Sequence, residues 1–238
     1  MTKPTIINAQ SISYSAVSDS STSRTYEDVV IPAEANTVIM LVGLGSPSGT
    51  FEWTDIAFGN AAAIKTQFID VSSNSPLQAT AAAIFDVSEA GAMTADVVAS
   101  LNTSATADSK LGIVCSTGFV ESWATTNDRS GTAGQNTIFS PNYENNIFVL
   151  MGSVDIDIDD LTITTGTLIF KGEQGAAKFG VFGAKQTSEG SINEKTIAYT
   201  MSIEETSEIL VTLSTQRNPF ATSFGPVIRP TIAHDVIS

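Results

Sequence analysis

Asn36-Thr37-Val38-Ile39-Met40-Leu41-Val42-Gly43 and Asn145-Asn146-Ile147-Phe148-Val149-Leu150-Met151-Gly152 are the two stretches that decide how this chain folds. Each runs apolar for the length of a strand and stops at a glycine, and the two lie about a hundred residues apart. A second pair repeats the relation. Ala83-Ile84-Phe85-Asp86-Val87-Ser88-Glu89-Ala90-Gly91 is matched in kind by Phe179-Gly180-Val181-Phe182-Gly183-Ala184-Lys185-Gln186-Thr187-Ser188-Glu189-Gly190. Both pairs read as strand then turn, which suggests a pseudo-symmetric sandwich or two stacked sandwiches. Chance likeness between β-rich segments is the competing explanation.

Working outward, strand signals rich in β-branched residues recur between Gly, Pro, Asn and Ser turns. In the first half they fall at Tyr26–Ile31, Thr37–Leu44, Trp53–Phe58, Ala62–Ile69, Gln78–Val87, Thr94–Leu101 and Leu111–Val120. In the second they fall at Ile147–Val154, Leu161–Thr165, Thr167–Phe170, Lys178–Lys185, Thr196–Ser202 and Glu208–Leu213. Stretches of helical period are nearly absent. The polar run between Glu121 and Asn146, centred on Thr125–Asn136, is expected to be a long surface loop. The expected fold class is all-β: an antiparallel, jelly-roll-like β-sandwich with two weakly similar halves. Residues 1–24 form an N-terminal arm, 25–215 the body with halves at about 25–122 and 145–215, and 216–238 an extended C-terminal tail.

The bulk numbers narrow function by exclusion. Of 238 residues, 42% are hydrophobic, enough for a sizeable core and against a disordered chain. Eleven basic residues face 25 acidic ones, a net charge of -14. By count, 4 stand against 12 in residues 1–122 and 7 against 13 in 123–238, so no acidic tail accounts for the charge. This sign repels phosphate backbones and anionic lipid, so neither nucleic acid nor membrane is an expected partner. Met1-Thr2-Lys3-Pro4-Thr5 is not the basic start of a secretory signal, and no run approaches the roughly 18 apolar residues of a membrane span. Cys115 is the only cysteine and sits in Leu111-Gly112-Ile113-Val114-Cys115, a buried-strand pattern, so it reads as a small core residue.

Candidate chemistry is sparse. The only histidine, His234, lies four residues from the end with no nucleophile elbow to serve, and one His with one Cys cannot supply a usual zinc set. Gly43-Leu44-Gly45 is too short for a phosphate cradle. Val154-Asp155-Ile156-Asp157-Ile158-Asp159-Asp160-Leu161 starts like a calcium loop, but has Asp160 at its sixth position and Gly166 at its twelfth. Its alternation reads as an amphipathic strand with a wet face. If a cation site exists, Asp155, Asp157 and Asp159 are its contributors. Trp53, Trp123 and Tyr143 are candidates for a sugar-stacking platform, with core or interface positions as the simpler reading. No catalytic, cofactor-binding or metal residue is assigned, and no cofactor is expected.

Trp53-Thr54-Asp55-Ile56-Ala57-Phe58-Gly59-Asn60-Ala61, followed by Ala82-Ala83-Ile84-Phe85-Asp86-Val87-Ser88-Glu89-Ala90-Gly91-Ala92-Met93-Thr94-Ala95-Asp96-Val97-Val98, resembles a β-sandwich module of virion proteins of tailed bacteriophages. In that module a strand ending in an aromatic-Gly turn is followed by a strand, a Pro/Ala-Gly turn and a Thr/Val-rich strand. The resemblance spans roughly residues 25–215 and carries no functional residue. It implies a non-enzymatic capsid decoration protein, head fibre or tail component on the particle surface, made in the host cytoplasm. The implied partners are further copies of the chain, first of all in a homotrimer, and other virion proteins such as the major capsid protein. A major capsid subunit of two stacked jelly rolls belongs to the same class, although about a hundred residues per half is tight for eight strands each. The alternative is a carbohydrate-binding adhesin or receptor-binding fibre module, calcium-assisted, with a host surface glycan as partner. A glycan-degrading enzyme with unrecognised carboxylates is a third reading.

Overall fold

The structure, a computed structural model, describes residues 3–14, 21–45, 51–71, 78–126, 131–138, 146–154, 158–174, 179–187, 195–204 and 206–217. The strands follow in chain order. They are β1 (Ile6–Tyr14), β2 (Ser21–Ile31), β3 (Thr37–Gly45), β4 (Trp53–Phe58), β5 (Ile64–Asp70), β6 (Gln78–Asp86), β7 (Met93–Ala105) and β8 (Ser109–Ser116). Then come β9 (Phe119–Thr126), β10 (Gly131–Ile138), β11 (Ile147–Val154), β12 (Thr162–Thr165), β13 (Thr167–Gln174), β14 (Phe179–Thr187), β15 (Lys195–Glu204) and β16 (Thr206–Ser214). All pairings are antiparallel.

Four sheets result. Two have five strands, ordered β1-β8-β3-β6-β5 and β13-β14-β11-β16-β9; two have three, ordered β2-β7-β4 and β10-β15-β12. Adding eight to every strand number of the first five-stranded sheet yields the second, and the same step carries β2-β7-β4 into β10-β15-β12. Within each half, the first strand lies beside the eighth and the second beside the seventh. The fifth turns the corner from one sheet to the other. That is jelly-roll order, built from Greek keys. The chain is therefore two eight-strand jelly rolls in tandem, and the pairs first noticed in the sequence are β3 with β11 and β6 with β14.

The halves meet through equivalent surfaces, the backs of their five-stranded sheets. β1 packs on β13, β3 on β11 and β14, β8 on β14, and β6 on β16. Side-chain alternation explains why these strands look uniformly apolar. On β3, Val38, Met40, Val42 and Leu44 face the three-stranded sheet of their own half, while Ile39 and Leu41 face the other half. On β11, Phe148 and Leu150 face inward, while Ile147, Val149 and Met151 face across the joint. A strand covered on both sides has no wet face, so period-2 patterning disappears and a continuous apolar run remains. The outer sheets keep the alternation: Tyr26, Val29 and Ile31 of β2 are buried while Glu27 and Val30 are exposed.

Three expectations are sharpened or changed. Residues 6–14, overlapping the stretch read as an extended strand or arm, form β1 and pair along β8 from Ile6↔Ser116 to Tyr14↔Ser109. The expected loop between Glu121 and Asn146 contains most of β9 and all of β10, which pair with β16 and β15; the Gly- and Asn-containing composition of β10 does not itself signal a strand. Leu111–Val120 is two strands, not one. The chain crosses between halves at Thr117–Gly118, where Thr117 N–H donates to Thr5 O at 3.1 Å and Gly118 N–H to Ser116 Oγ at 3.0 Å. A Cβ on Gly118 would lie 2.9 Å from Pro4 Cβ and 3.1 Å from Leu213 Cβ, so the crossing requires glycine.

Candidate functional site

The residues singled out for chemistry are dispersed. Trp53 is buried between the sheets of the first half, and its indole N–H donates to Ala79 O at 2.9 Å, so it serves the core and not a sugar platform. Trp123 is half-buried and packs against the core of the joint. Tyr143 and His234 lie outside the described residues. Cys115 is fully buried, and desolvation pushes its thiol up to about 12, as suits a packing residue.

The acidic run is also rearranged. β11 stops at Val154; Asp155 and Asp157 lie outside the described residues. Ile158–Asp160 is a single 3-10 turn that buries Ile158 and exposes Asp159 and Asp160, so the expected amphipathic strand does not continue through it. The Lys171 ammonium donates to Asp159 O at 3.0 Å and fixes the turn against β13. Among the described residues no cluster of three His, Cys, Asp or Glu side chains could hold a metal ion.

What the fold does concentrate is polar chemistry at the joint. Thr80 Oγ1 on β6 and Ser153 Oγ on β11 share a hydrogen bond of 2.5 Å between the halves. Lys110 on β8 sends its ammonium to Ser13 Oγ at 2.8 Å and, across the joint, to Glu173 O on β13 at 2.6 Å. Desolvation holds the Lys110 pKa below the ordinary lysine value, against the opposing pull of Glu173. Beside it, a Cβ on Gly112 would lie 2.8 Å from Phe170 Cζ, so a bare backbone lets the sheets close. At the rim, Arg217 pairs with Asp86. Desolvation would raise the Asp86 carboxyl, but hydrogen bonds from Ser88 and the Arg217 charge outweigh it and hold it below its usual value.

Each half also buries a charged side chain of its own. Arg24 is fully buried, stacks at 5.0 Å over Tyr14, and donates to Ala105 O at 2.7 Å, Ser21 O and Ser23 O at 3.1 Å, and Ala107 O at 3.3 Å. It donates where the β2–β7 register shifts between Ser21 and Ser23, tying β2 to the end of β7. In the second half Glu208 is fully buried and accepts from the Tyr199 hydroxyl. Sequence reading missed these three charges. The available signal was parity: Lys110 shares its strand face with Gly112 and Val114, which marks it as facing whatever covers them.

The outside is acidic. Glu27, Asp28, Glu34, Glu52, Asp70, Glu89 and Asp96 are exposed on the first half, against exposed Lys3 and Lys65. Lys65 is engaged: its ammonium bridges from β5 to Asp55 and Ile56 O of β4, closing the corner between the two sheets. Comparison of the chain with family models, with curated proteins and with solved structures returns no match in any of the three.

Proposed function

We propose that this chain is a non-enzymatic structural protein of a virion, a building block of the particle shell that works through subunit contact. The observation that carries this reading is the tandem of two complete jelly rolls fused back to back. Jelly rolls serve in viral capsids, and also in lectins and cupins, so fold supports the class and surface chemistry must separate its members. A metal-dependent cupin chemistry is poorly served by a chain with one histidine. A stacking lectin site loses Trp53 to the core.

Each half carries eight strands despite its short length, and this favours a subunit of the shell itself over a decoration protein laid on it. The partners on this reading are further copies of the chain, with a trimer as the first expectation, and other virion proteins. The acidic exterior suits a role in which nucleic acid is enclosed without being gripped. Mass spectrometry of purified particles tests it: the chain is expected at high copy number in a symmetric ratio to the other coat proteins. Recovery of the chain only as a free monomer that binds a glycan array would replace this reading with the adhesin one.

A further inference from the structure

The two five-stranded sheets have four edge strands, β1 and β5 in the first half and β13 and β9 in the second. An edge strand offers a row of unpaired N–H and C=O groups to any strand that reaches it, and folds blunt such edges with charge, bulges or cover. Three of the four are blunted. β5 carries Lys65 and Asp70, shifts register between Lys65 and Gln67, and is tied to β4 by the Lys65 ammonium. β13 carries Lys171 and Glu173, shifts between Leu168 and Phe170, and holds the Ile158–Asp160 turn through Lys171. β9 carries Glu121 at its own irregularity, where the pairing passes from Thr212↔Ser122 to Leu213↔Val120.

β1 lacks these guards over most of its length. Ile6-Ile7-Asn8-Ala9-Gln10-Ser11-Ile12-Ser13-Tyr14 contains no Asp, Glu, Lys, Arg or His. Its one register shift lies between Ile6 and Asn8, and from Asn8 to Tyr14 the ladder to β8 is unbroken. β8 is its one strand partner, and among the described residues no further backbone hydrogen bond involves residues 6–14. The side chains along it are half-buried, and Ser13 is exposed. The contrast with β9 is sharpest, because β9 holds the same place in the second half and there the edge is charged.

Charge and register indicate what fits this edge. The chain carries a net charge of -14, with Glu27, Asp28, Glu34, Glu52, Glu89 and Asp96 exposed on the first half. A second copy therefore approaches best along a strip free of carboxylates, and β1 is such a strip. Two cations contact it, Lys110 at Ser13 and Arg24 at Tyr14, and both are already held within the chain. Antiparallel pairing of a strand with itself is the isologous solution. Centred on Ser11, it sets Asn8 opposite Tyr14, Ala9 opposite Ser13 and Gln10 opposite Ile12, which uses the whole regular stretch. It also places the two Ser13 residues, and the Lys110 beneath each, roughly 14 Å apart along the pair.

We propose that β1 is the docking edge for a second copy of this chain, its Asn8–Tyr14 stretch pairing antiparallel with the same stretch of that copy about a twofold axis at Ser11. The two first-half inner sheets then join into one sheet of ten strands. The openness of the edge is independent of the shell-subunit reading, whereas the choice of a second copy as occupant rests on it. This twofold contact is separate from the trimer contact of that reading, and a closed assembly accommodates both.

Sedimentation and cross-linking of the full chain test this. The unaltered protein is expected to self-associate as its concentration rises. Residues facing each other across the axis have Cα atoms about 4.5–5.5 Å apart, within disulfide range. Ser11→Cys, a nearly isosteric change, is therefore expected to give on mild oxidation a disulfide joining two copies of the peptide that holds residue 11, while buried Cys115 stays reduced. Gln10→Lys and Gln10→Glu each set like charges beside the axis, and each is expected to weaken self-association at least about tenfold. Mixing the two variants is expected to restore it, which also shows that both remain folded. A chain that stays monomeric at every concentration would overturn the proposal. So would self-association in which the introduced thiol stays free, or which neither Gln10 variant weakens; those results place the contact elsewhere and leave the shell-subunit reading to the particle measurement.

Discussion

The two inner sheets share one strand order and the two outer sheets another, and the two kinds of sheet live in different solvents. β3 and β11 are buried on both faces, so every side chain has to fit a packed neighbour. On β2, β4 and β7 alternate positions reach water, and only half the residues are so constrained. The inner pair therefore sets stability and the relation of the halves, while the outer pair is free to carry the acidic surface.

Substitutions that ignore this difference should erase it, and those that respect it should expose its size. Leu41→Asp places a carboxylate in the apolar core between the inner sheets, and is expected to cost about 4 kcal/mol or more. Urea unfolding should show the loss of a cooperative transition. Lys110→Met removes the cross-joint donor while keeping the stem, leaving Glu173 O short of a partner; a loss of about 1–3 kcal/mol is expected from the same titration. Because the folded-state pKa of Lys110 is depressed, its charged form penalises folding at neutral pH. The loss on mutation should therefore grow as pH rises from the depressed value to the ordinary one.

Asp86→Asn breaks the rim pair, whose Arg217 end is exposed and screened, so a loss of about 1 kcal/mol is expected. The Asp86 pKa is lowered on folding, so its contribution is present above the unfolded value of 3.8 and is lost as pH falls through the folded value. Acid titration of both proteins should show their stabilities converging there. Smallest of all, Thr94→Ala on the outer face of β7 should stay within about 0.5 kcal/mol of the parent.

The same contrast accounts for what could be read from sequence. β4 and β11 have the bounds expected from their residues, because Trp53–Phe58 alternates, Ile147–Val154 is nearly continuously apolar, and each is followed by a turn residue. The end of β9 and the whole of β10 were illegible: Asn127, Asp128, Gly131, Gly134 and Asn136 are turn-prone residues in and beside them, and pairing to β16 and β15 makes them strands. The kinship of β3 and β11 was visible, but which faces they present to one another was not, since a run apolar on both sides has lost the period that would reveal it. For Trp53 and Trp123 a core or interface position was the simpler reading, and Trp53 is buried in the core while Trp123 packs against the joint, although an indole marks burial and binding alike. The buried charges followed the least visible rule of all, that Lys110 and Arg24 are placed by carbonyls far away in sequence.

The packing of one half on the other through equivalent sheets is tested most directly by joining them covalently. Thr80 and Ser153 hydroxyls lie 2.5 Å apart across the joint, close enough for cysteines at both positions to form a disulfide. In a Cys115→Ser background, Thr80→Cys with Ser153→Cys is expected to oxidise to a single intramolecular bond, seen as a peptide linking the two positions at monomer mass. Two free thiols after oxidation, or a bond only between chains, would contradict the stacked halves.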